Sequence, residues 1–374
     1  MPPLRLAIVG CGSITERGLL PHLELETDLV KVVALSDTSE DRLRHIALQF
    51  DVRQTYGDFN ELLKESDAEA VVIATPMAYH YEQAKLALSY QRHVYVQKPM
   101  TRTAQEAAEI IELSTERHLI LAASPGQMLL PAYEQARQLV KDGAIGTVYM
   151  AFGVNMALGH EHETLRSHAE SGLDPSWYYK PGGGPLRDMG VYSLHAITGI
   201  LGAAEKAISL GTAPMPHREW KGKKITVQVP DNEAVLLQLG ENQLATIAAT
   251  YSVNPIILSW GLISLSGSEG TIEVRRLPED PSSYQLILHR ASEAEPKETL
   301  FGTGLSQDHD RLEEAHVARD LMDFVDSVRN RRSPGADPWR AAHVVEIIEA
   351  AERSRDAGHA IEIGGRFAYN PEDH

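Results

Sequence analysis

The chain has 374 residues, 43% of them hydrophobic and 23% charged, enough to build more than one buried core. Its formal net charge of −17 excludes a polyanion as the main partner, because a nucleic-acid binder needs a basic face. A single cysteine, Cys11, excludes an internal disulfide and fits a reducing compartment. No run approaches the ~20 apolar residues of a membrane helix. Leu4–Val9 leads straight into a glycine turn, unlike a signal peptide, so a cytoplasmic protein is expected.

From Leu4 to Ala123 short apolar runs alternate with helical stretches. The runs Leu6–Val9, Val30–Leu35, Ala70–Ala74, His93–Val96 and Leu119–Ala122 read as strands buried on both faces of a parallel sheet. Between them, Thr103 to Arg117 carries Ala107, Ile110, Ile111 and Ser114 at helical spacing, with Thr103 and Glu106 as a capping box. This alternation implies a doubly wound domain over residues 1–124, ending near Ser124-Pro125-Gly126. A second, α+β domain over 125–374 is expected to carry a large, mostly antiparallel open sheet. It should hold a helix at Pro131–Lys141, a strand at Thr147–Met156 and a helix at Leu186–Leu201. Further strands are expected at Glu233–Leu239, Leu244–Tyr251 and Leu258–Ser266. Helices His309–Asn330 and Pro338–Ser354 close the chain, the last expected to pack back toward the first domain.

The segment Gly10-Cys11-Gly12-Ser13-Ile14-Thr15 follows the first strand and precedes a helix. This is G-x-G-x-x-G with threonine at the third position. Gly10 permits the tight turn, and Gly12 lets the backbone approach a pyrophosphate at the helix N-terminus, with Ser13 and Ile14 completing the loop. Asp37 ends the second strand, where a carboxylate accepts hydrogen bonds from a ribose and repels a 2′-phosphate. NAD is therefore expected over NADP. Arg42 is the one neighbour that softens this exclusion, and Asp37 also reads as an N-cap for Glu40–Gln49. Cys11 reads as a small buried residue rather than a redox sensor.

Thr75-Pro76 and His80 follow the fourth strand, and Gln97-Lys98-Pro99 the fifth, at the strand ends where open α/β sheets bind ligands. His80 reads equally as a helix cap or as lining for a nicotinamide pocket. Farther on, Gly182-Gly183-Gly184 opens a helix on which Asp188, Tyr192 and His195 recur at spacings of four and three, so that they share a face.

With these blocks in view, the sequence resembles the glucose–fructose oxidoreductase, inositol dehydrogenase and MocA (Gfo/Idh/MocA) family over nearly its whole length. The likeness also takes in Tyr56-Gly-Asp-Phe-Asn-Glu-Leu-Leu and the strand turn Gly267-Ser-Glu-Gly270-Thr. It implies a Rossmann domain, a second α/β domain whose sheet often mediates oligomers, and a homodimer or homotetramer. It also implies hydride transfer to or from a hydroxyl of a polyol, sugar or sugar derivative. The resemblance places Lys98, Asp188 and Tyr192 around the reacting hydroxyl, with Gln97 where the family usually has glutamate and Tyr192 where many members have histidine. Hydride removal from a carbinol needs a base for the hydroxyl proton. Lys98 and Tyr192 are expected to act as a pair, with Asp188 orienting them.

Gly159-His160-Glu161-His162-Glu163, followed by His168, offers ligand-type side chains, but their spacing matches no standard zinc pattern and no metal is expected. This loop reads as a substrate-side lid carrying His160. Trp177, Tyr178 and Tyr179 read either as an aromatic wall for a sugar ring or as loop packing, with Trp177 assigned to the pocket. His195 reads as a substrate contact or as a helix histidine with internal partners. His217-Arg218-Glu219-Trp220-Lys221 reads as a solvated turn, and Arg329–Arg332 as a helix C-terminus. Two other functional classes stay open. One is a glycoside-cleaving enzyme that oxidises a sugar carbon transiently and returns the hydride. The other is a catalytically silent NAD-binding sensor or partner subunit.

Overall fold

The uninterrupted apolar run Leu4–Val9 (β1) has no polar face to show to water, and it becomes an inner strand of a parallel sheet. In the computed structural model, which describes residues 2–162, 173–251 and 261–364, the chain divides into two compact units. In the first unit β1 is joined by Val30–Ser36 (β2), Gln54–Tyr56 (β3), Ala70–Ile73 (β4), His93–Val96 (β5) and Leu121–Ala123 (β6). Their order is β3-β2-β1-β4-β5-β6, all parallel. This is the doubly wound arrangement in which the strand order reverses between β1 and β4, opening a crevice at their C-terminal ends. Helix Ala104–Glu116 starts at the expected capping box: the Glu106 N–H donates to Thr103 Oγ1 (3.2 Å), and Thr103 N–H to the Glu106 carboxylate (3.2 Å).

The first unit runs to Leu129 and also takes in Leu305–Ala342, whereas sequence order puts one cut at 124. The return is driven by burial. Helix Ala315–Asn330 presents Val317, Leu321, Phe324 and Val325 to the core that holds Leu6, Ile8, Leu35 and Tyr95. The single helix expected from His309 is broken, because Glu314 is left-handed (φ 58°) and separates a short turn, Gln307–Asp310, from the main helix. Of the last helix, Pro338–Ala357, only the first turn belongs to the first unit, and residues from His343 on belong to the second.

The second unit contains Val148–Met156 (β7), Lys206–Thr212 (β8), a separate hairpin of His217–Trp220 (β9) and Lys223–Thr226 (β10), then Asn232–Leu239 (β11) and Gln243–Thr250 (β12). Leu262–Gly267 (β13), Gly270–Arg276 (β14), Tyr284–Arg290 (β15), Lys297–Phe301 (β16) and Ile361–Glu362 (β17) follow. Among the described residues the large sheet is ordered β16-β15-β14-β13-β7-β12-β11-β8-β17, antiparallel except where β7 meets β12. Helix Val191–Leu201 is buried on all sides, and Gly153 of β7 lets it come close: a Cβ there would lie 2.6 Å from Ser193 Cβ. The opposite face of the sheet leaves Phe152, Ile208, Leu210, Leu236 and Leu244 exposed. Among the described residues no helix is long and apolar enough to cross a membrane.

Candidate active site

In the first unit three loops emerge at the C-terminal ends of β1, β4 and β5, neighbours in the sheet. Gly10 has φ +96°, and a Cβ on it would sit 2.6 Å from Ala74 O, so no other residue fits this close approach of the first loop to the second. Thr15, in place of the third glycine, is fully buried and donates its hydroxyl to Gly10 O (2.5 Å), bracing the turn from inside the helix. Asp37, just past β2, accepts from Cys11 N–H (2.7 Å) on one oxygen and from Ser39 N–H (2.8 Å) on the other. Each oxygen keeps a lone pair for a further donor. The cap of helix Glu40–Gln49 is therefore Ser39 and not Asp37, because the Asp37 carboxylate is turned to the loop. Arg42 is drawn into the same loop, donating to Cys11 O (2.9 Å) and Glu16 (2.7 Å). Burial, helped by the Asp37 carboxylate, pushes the Cys11 thiol up to about 12, which makes it inert at neutral pH.

His80, first residue of helix His80–Ser89, is buried, with its ring nitrogens 2.8 Å from Thr75 O and 2.8 Å from Pro99 O. It braces the β4 loop to the β5 loop. Burial, and to a lesser degree the Lys98 charge, hold its pKa below the ordinary histidine value. Lys98, in the β5 loop, is half-buried, unlike an ordinary surface lysine. Thr75 donates its hydroxyl to Gln83 (2.6 Å) while Pro76 is exposed, and Gln97 is buried with Nε2 donating to Tyr95 Oη (3.2 Å).

In the second unit the triple glycine makes a tight entry to the helix: Gly182 and Gly184 have φ of 94° and 97°, and a Cβ on Gly183 would meet Tyr178 O at 2.3 Å. The helix begins with a π turn, Leu186–Gly190, before the α-helix Val191–Leu201. A π turn holds an extra residue, so the straight α-helical spacing expected for Asp188 and Tyr192 does not apply across it. Asp188 is buried, accepting from Tyr251 Oη (3.0 Å), with His160 Nε2 at 2.8 Å on the same oxygen. His160 stacks on Tyr178 (ring centroids 3.4 Å), and Tyr178 on Trp177 (3.7 Å), so an aromatic column runs from Asp188 out to the exposed Trp177. Tyr192 and His195 are buried in the helix.

Both units match models of one family. Residues 4–124 match the oxidoreductase family with an NAD-binding Rossmann fold, and residues 133–273 match the Gfo/Idh/MocA C-terminal domain. The chain belongs to the Gfo/Idh/MocA family of oxidoreductases. One relative, the dTDP-3,4-didehydro-2,6-dideoxy-alpha-D-glucose 3-reductase of Streptomyces violaceoruber, is 27% identical over 96% of this chain and 97% of its own. The D-glucoside 3-dehydrogenase of Escherichia coli is 26% identical over 96% of this chain and 98% of its own. Among solved structures, levoglucosan dehydrogenase in complex with NADH and levoglucosan superposes with a TM-score of 0.80, covering 97% of this chain and 100% of that one, at 16% identity, a likeness of fold.

For this family member the solvated turn expected around His217 needs correction. Arg218 is buried and bridges Glu161 (2.5 Å) and Asp231 (2.6 Å), because a cation between two buried carboxylates satisfies charges that neither could carry alone. Glu161 also accepts from the Tyr179 hydroxyl, and Tyr179 Oη accepts from the His160 N–H (3.0 Å). His160 and Glu161 are thus held in a hydrogen-bonded network, while His168 and Glu163 lie outside the described residues. Sequence reading missed Tyr251, the second partner of Asp188. It follows β12 directly, and nothing local in the sequence marks its hydroxyl.

Proposed function

We propose that the chain is an NAD-dependent dehydrogenase, or a reductase in the reverse direction, acting on a secondary hydroxyl of a sugar, polyol or sugar derivative. The observation that carries this reading is the buried Asp188 carboxylate at the foot of the Trp177–Tyr178–His160 column. A hydrogen-bonding group beside flat aromatic faces suits a ring that is apolar on its faces and polar at its edge. The names of two relatives, a 3-reductase and a 3-dehydrogenase, make a sugar 3-hydroxyl the first candidate.

The residues present fit a dinucleotide. Gly10 turns the chain at φ +96°, and the half-buried Gly12, Ser13 and Ile14 follow at the start of a helix, the place where a pyrophosphate would be held. Gly10, Gly12, Ser13 and Ile14 would hold it, with Asp37 on the adenosine ribose and Thr75, Pro76, Gln97 and Lys98 toward the nicotinamide half. When bound, the nicotinamide ring supplies the hydride acceptor or donor. The chain's own part is the proton. For the hydroxyl proton that must leave as the carbonyl forms, the candidate groups are Lys98 of the first unit and Tyr192 of the second, and Asp188 and His160 of the second unit are the candidates for orienting the hydroxyl. Asp37, with Arg42 held by Glu16 and Cys11 O, supports NAD over NADP. The exposed apolar sheet face supports a homo-oligomer, which light scattering on the purified protein checks directly.

The test is a screen for cofactor reduction with NAD or NADP against aldoses, polyols, uronic acids and glycosides. NAD-dependent reduction with a sugar or polyol supports the reading. Release of an aglycone without net reduction moves the protein to redox-assisted glycoside cleavage, and dinucleotide binding with no turnover on any class overturns the dehydrogenase reading in favour of a sensor.

A further inference from the structure

In the first unit the residues after the glycine turn form a π turn, Thr15–Leu19, and a short helix, Leu20–Glu24. A corner formed by residues 309–314 of the same unit lies along one side of them. Arg17 donates from Nε to Ser13 Oγ (2.9 Å) and from Nη1 to the Glu313 carboxylate (2.7 Å). A Cβ on Gly18 would sit 2.9 Å from Glu314 Cβ. His22 Nε2 lies 2.8 Å from Glu313 O, His22 Nδ1 2.9 Å from His309 Nδ1, and His309 Nε2 3.0 Å from Glu26 Oε1. Ser13, Arg17, His22 and Glu26 share this side because the one five-residue step, from Arg17 to His22, crosses the π turn, which holds an extra residue. We infer that the line Glu26–His309–His22–Glu313 is a proton-dependent clasp that positions the dinucleotide loop through Arg17 and Ser13. The inference rests on the reading of Ser13 as part of that loop.

Both rings are buried, with planes 7° apart and centroids 5.2 Å apart. With the two Nδ1 atoms at 2.9 Å, that separation sets the rings edge to edge in nearly one plane, the geometry of an N–H···N bond. The line has three links, and each needs one proton between its two heavy atoms. Two neutral imidazoles beside an ionised Glu26 bring only two. The Glu313 carbonyl and the Glu26 carboxylate accept, so both outer ring nitrogens donate, and one Nδ1 must carry a hydrogen as well. The closed line therefore holds one proton more than its neutral rings supply. Loss of that proton leaves two Nδ1 lone pairs facing each other in a buried place, which is costly.

Histidine is the side chain that gains and loses such a proton near neutral pH. The charged groups facing the pair are Arg17 and Glu26 from the first helical stretch, Asp310 from the turn, and Glu313 and Glu314 from the corner, with His316 3.6 Å from Glu314. Burial above all, and then the charge of His309, hold His22 below the ordinary histidine value against Glu313 O, Glu314 and Asp310. The charged ring is thus His309, beside Glu26. As pH rises and the proton leaves, the clasp opens, Glu313 loses one of its two holds, and dinucleotide affinity falls. Glu26→Gln would close the clasp at every pH. The glutamine amide donates to His309 Nε2, His309 gives its one hydrogen to His22, and His22 gives its own to Glu313 O, so all three links are met with both rings neutral.

The experiment is fluorescence titration of NADH on the full chain from about pH 6 to about pH 8.5, native protein against Glu26→Gln. The two should bind alike at about pH 6, and at about pH 8.5 the native chain should bind about fivefold more weakly than the variant. Taking the ratio of the two at each pH cancels the titration of groups they share, His80 and Lys98 among them. By reciprocity the native chain should take up protons on binding NADH at about pH 8, read by calorimetry in buffers of different ionisation heat, and Glu26→Gln should not. His309→Leu, which removes the middle of the line, should bind at the weaker level at both ends of the range. If that variant does not fold, the Glu26→Gln comparison decides alone. A native-to-variant ratio that stays constant with pH overturns the clasp. Absence of NADH binding at every pH in both proteins overturns the dinucleotide reading itself, a separate failure visible before any ratio is taken.

Discussion

In the first unit the candidate site is made where neighbouring strands of one parallel sheet end, and much of its bonding is backbone: Gly10 O to Thr15, Cys11 N–H to Asp37, Thr75 O and Pro99 O to His80. In the second unit the site is made of side chains from distant stretches. Asp188 meets His160 and Tyr251, and Arg218 meets Glu161 and Asp231. A backbone-built site depends on small residues at fixed spacings, which a sequence displays. A side-chain-built site depends on which loops fold over one another, which a sequence does not display. The first is also expected to tolerate change at a single side chain better than the second, where one lost ion leaves others stranded.

The assignment of chemistry is the sharpest place to press this contrast. Lys98→Ala is expected to lower kcat by about 10² to 10⁴, with NADH affinity within a few-fold of native by fluorescence. Full turnover would remove Lys98 from the proton path. Next in size, Arg218→Met should cost about 3–5 kcal/mol in denaturant unfolding, since Glu161 and Asp231 would be left buried without their cation. A loss under ~1 kcal/mol would mean that the network is as solvated as an ordinary surface turn.

Each unit also buries one carboxyl against its ionisation, and here the two are expected to behave alike. Burial is the leading cause for both: Asp320 rises from 3.8 to about 7, and Glu233, despite Arg355 at 2.6 Å, from 4.5 to about 7. The unfolded chain loses these protons near the lower values and the folded chain only near the upper ones. Stability from both groups is therefore present in full below about pH 4, falls as pH rises toward about 7, and is level above. Asp320→Asn or Glu233→Gln should each flatten part of that slope by a few kcal/mol, read from unfolding midpoints across the window. An unchanged slope in either variant would show that the group is solvated. Asp37→Ala should cut the preference for NAD over NADP by about tenfold, by paired titrations, and an unchanged ratio would leave Asp37 as a loop brace only. The smallest effect belongs to Trp177, at the exposed end of its column. Trp177→Ala should raise KM for the sugar about threefold with kcat held.

Local pattern was enough to specify the first unit's sheet, the glycine turn, the capping box at Thr103 and Glu106, and the outline of the alternating second sheet. These follow from periodicity, from φ angles that only glycine adopts readily, and from apolar runs that must be covered. It was also enough to read the family, because the glycine, proline and lysine blocks at strand ends are contiguous. The rest was settled by contacts made on folding. Ser39 rather than Asp37 caps its helix because the Asp37 carboxylate is held by the loop opposite. Arg218 is an interior cation because Glu161 and Asp231 close on it from 57 and 13 residues away. The late helix Ala315–Asn330 joins the first core because its apolar face has more surface to cover there than any local rule records. A hydrogen bond or an ion pair between residues far apart in the chain leaves no periodic trace in the sequence, and its existence is settled only when burial makes each partner the other's replacement for water.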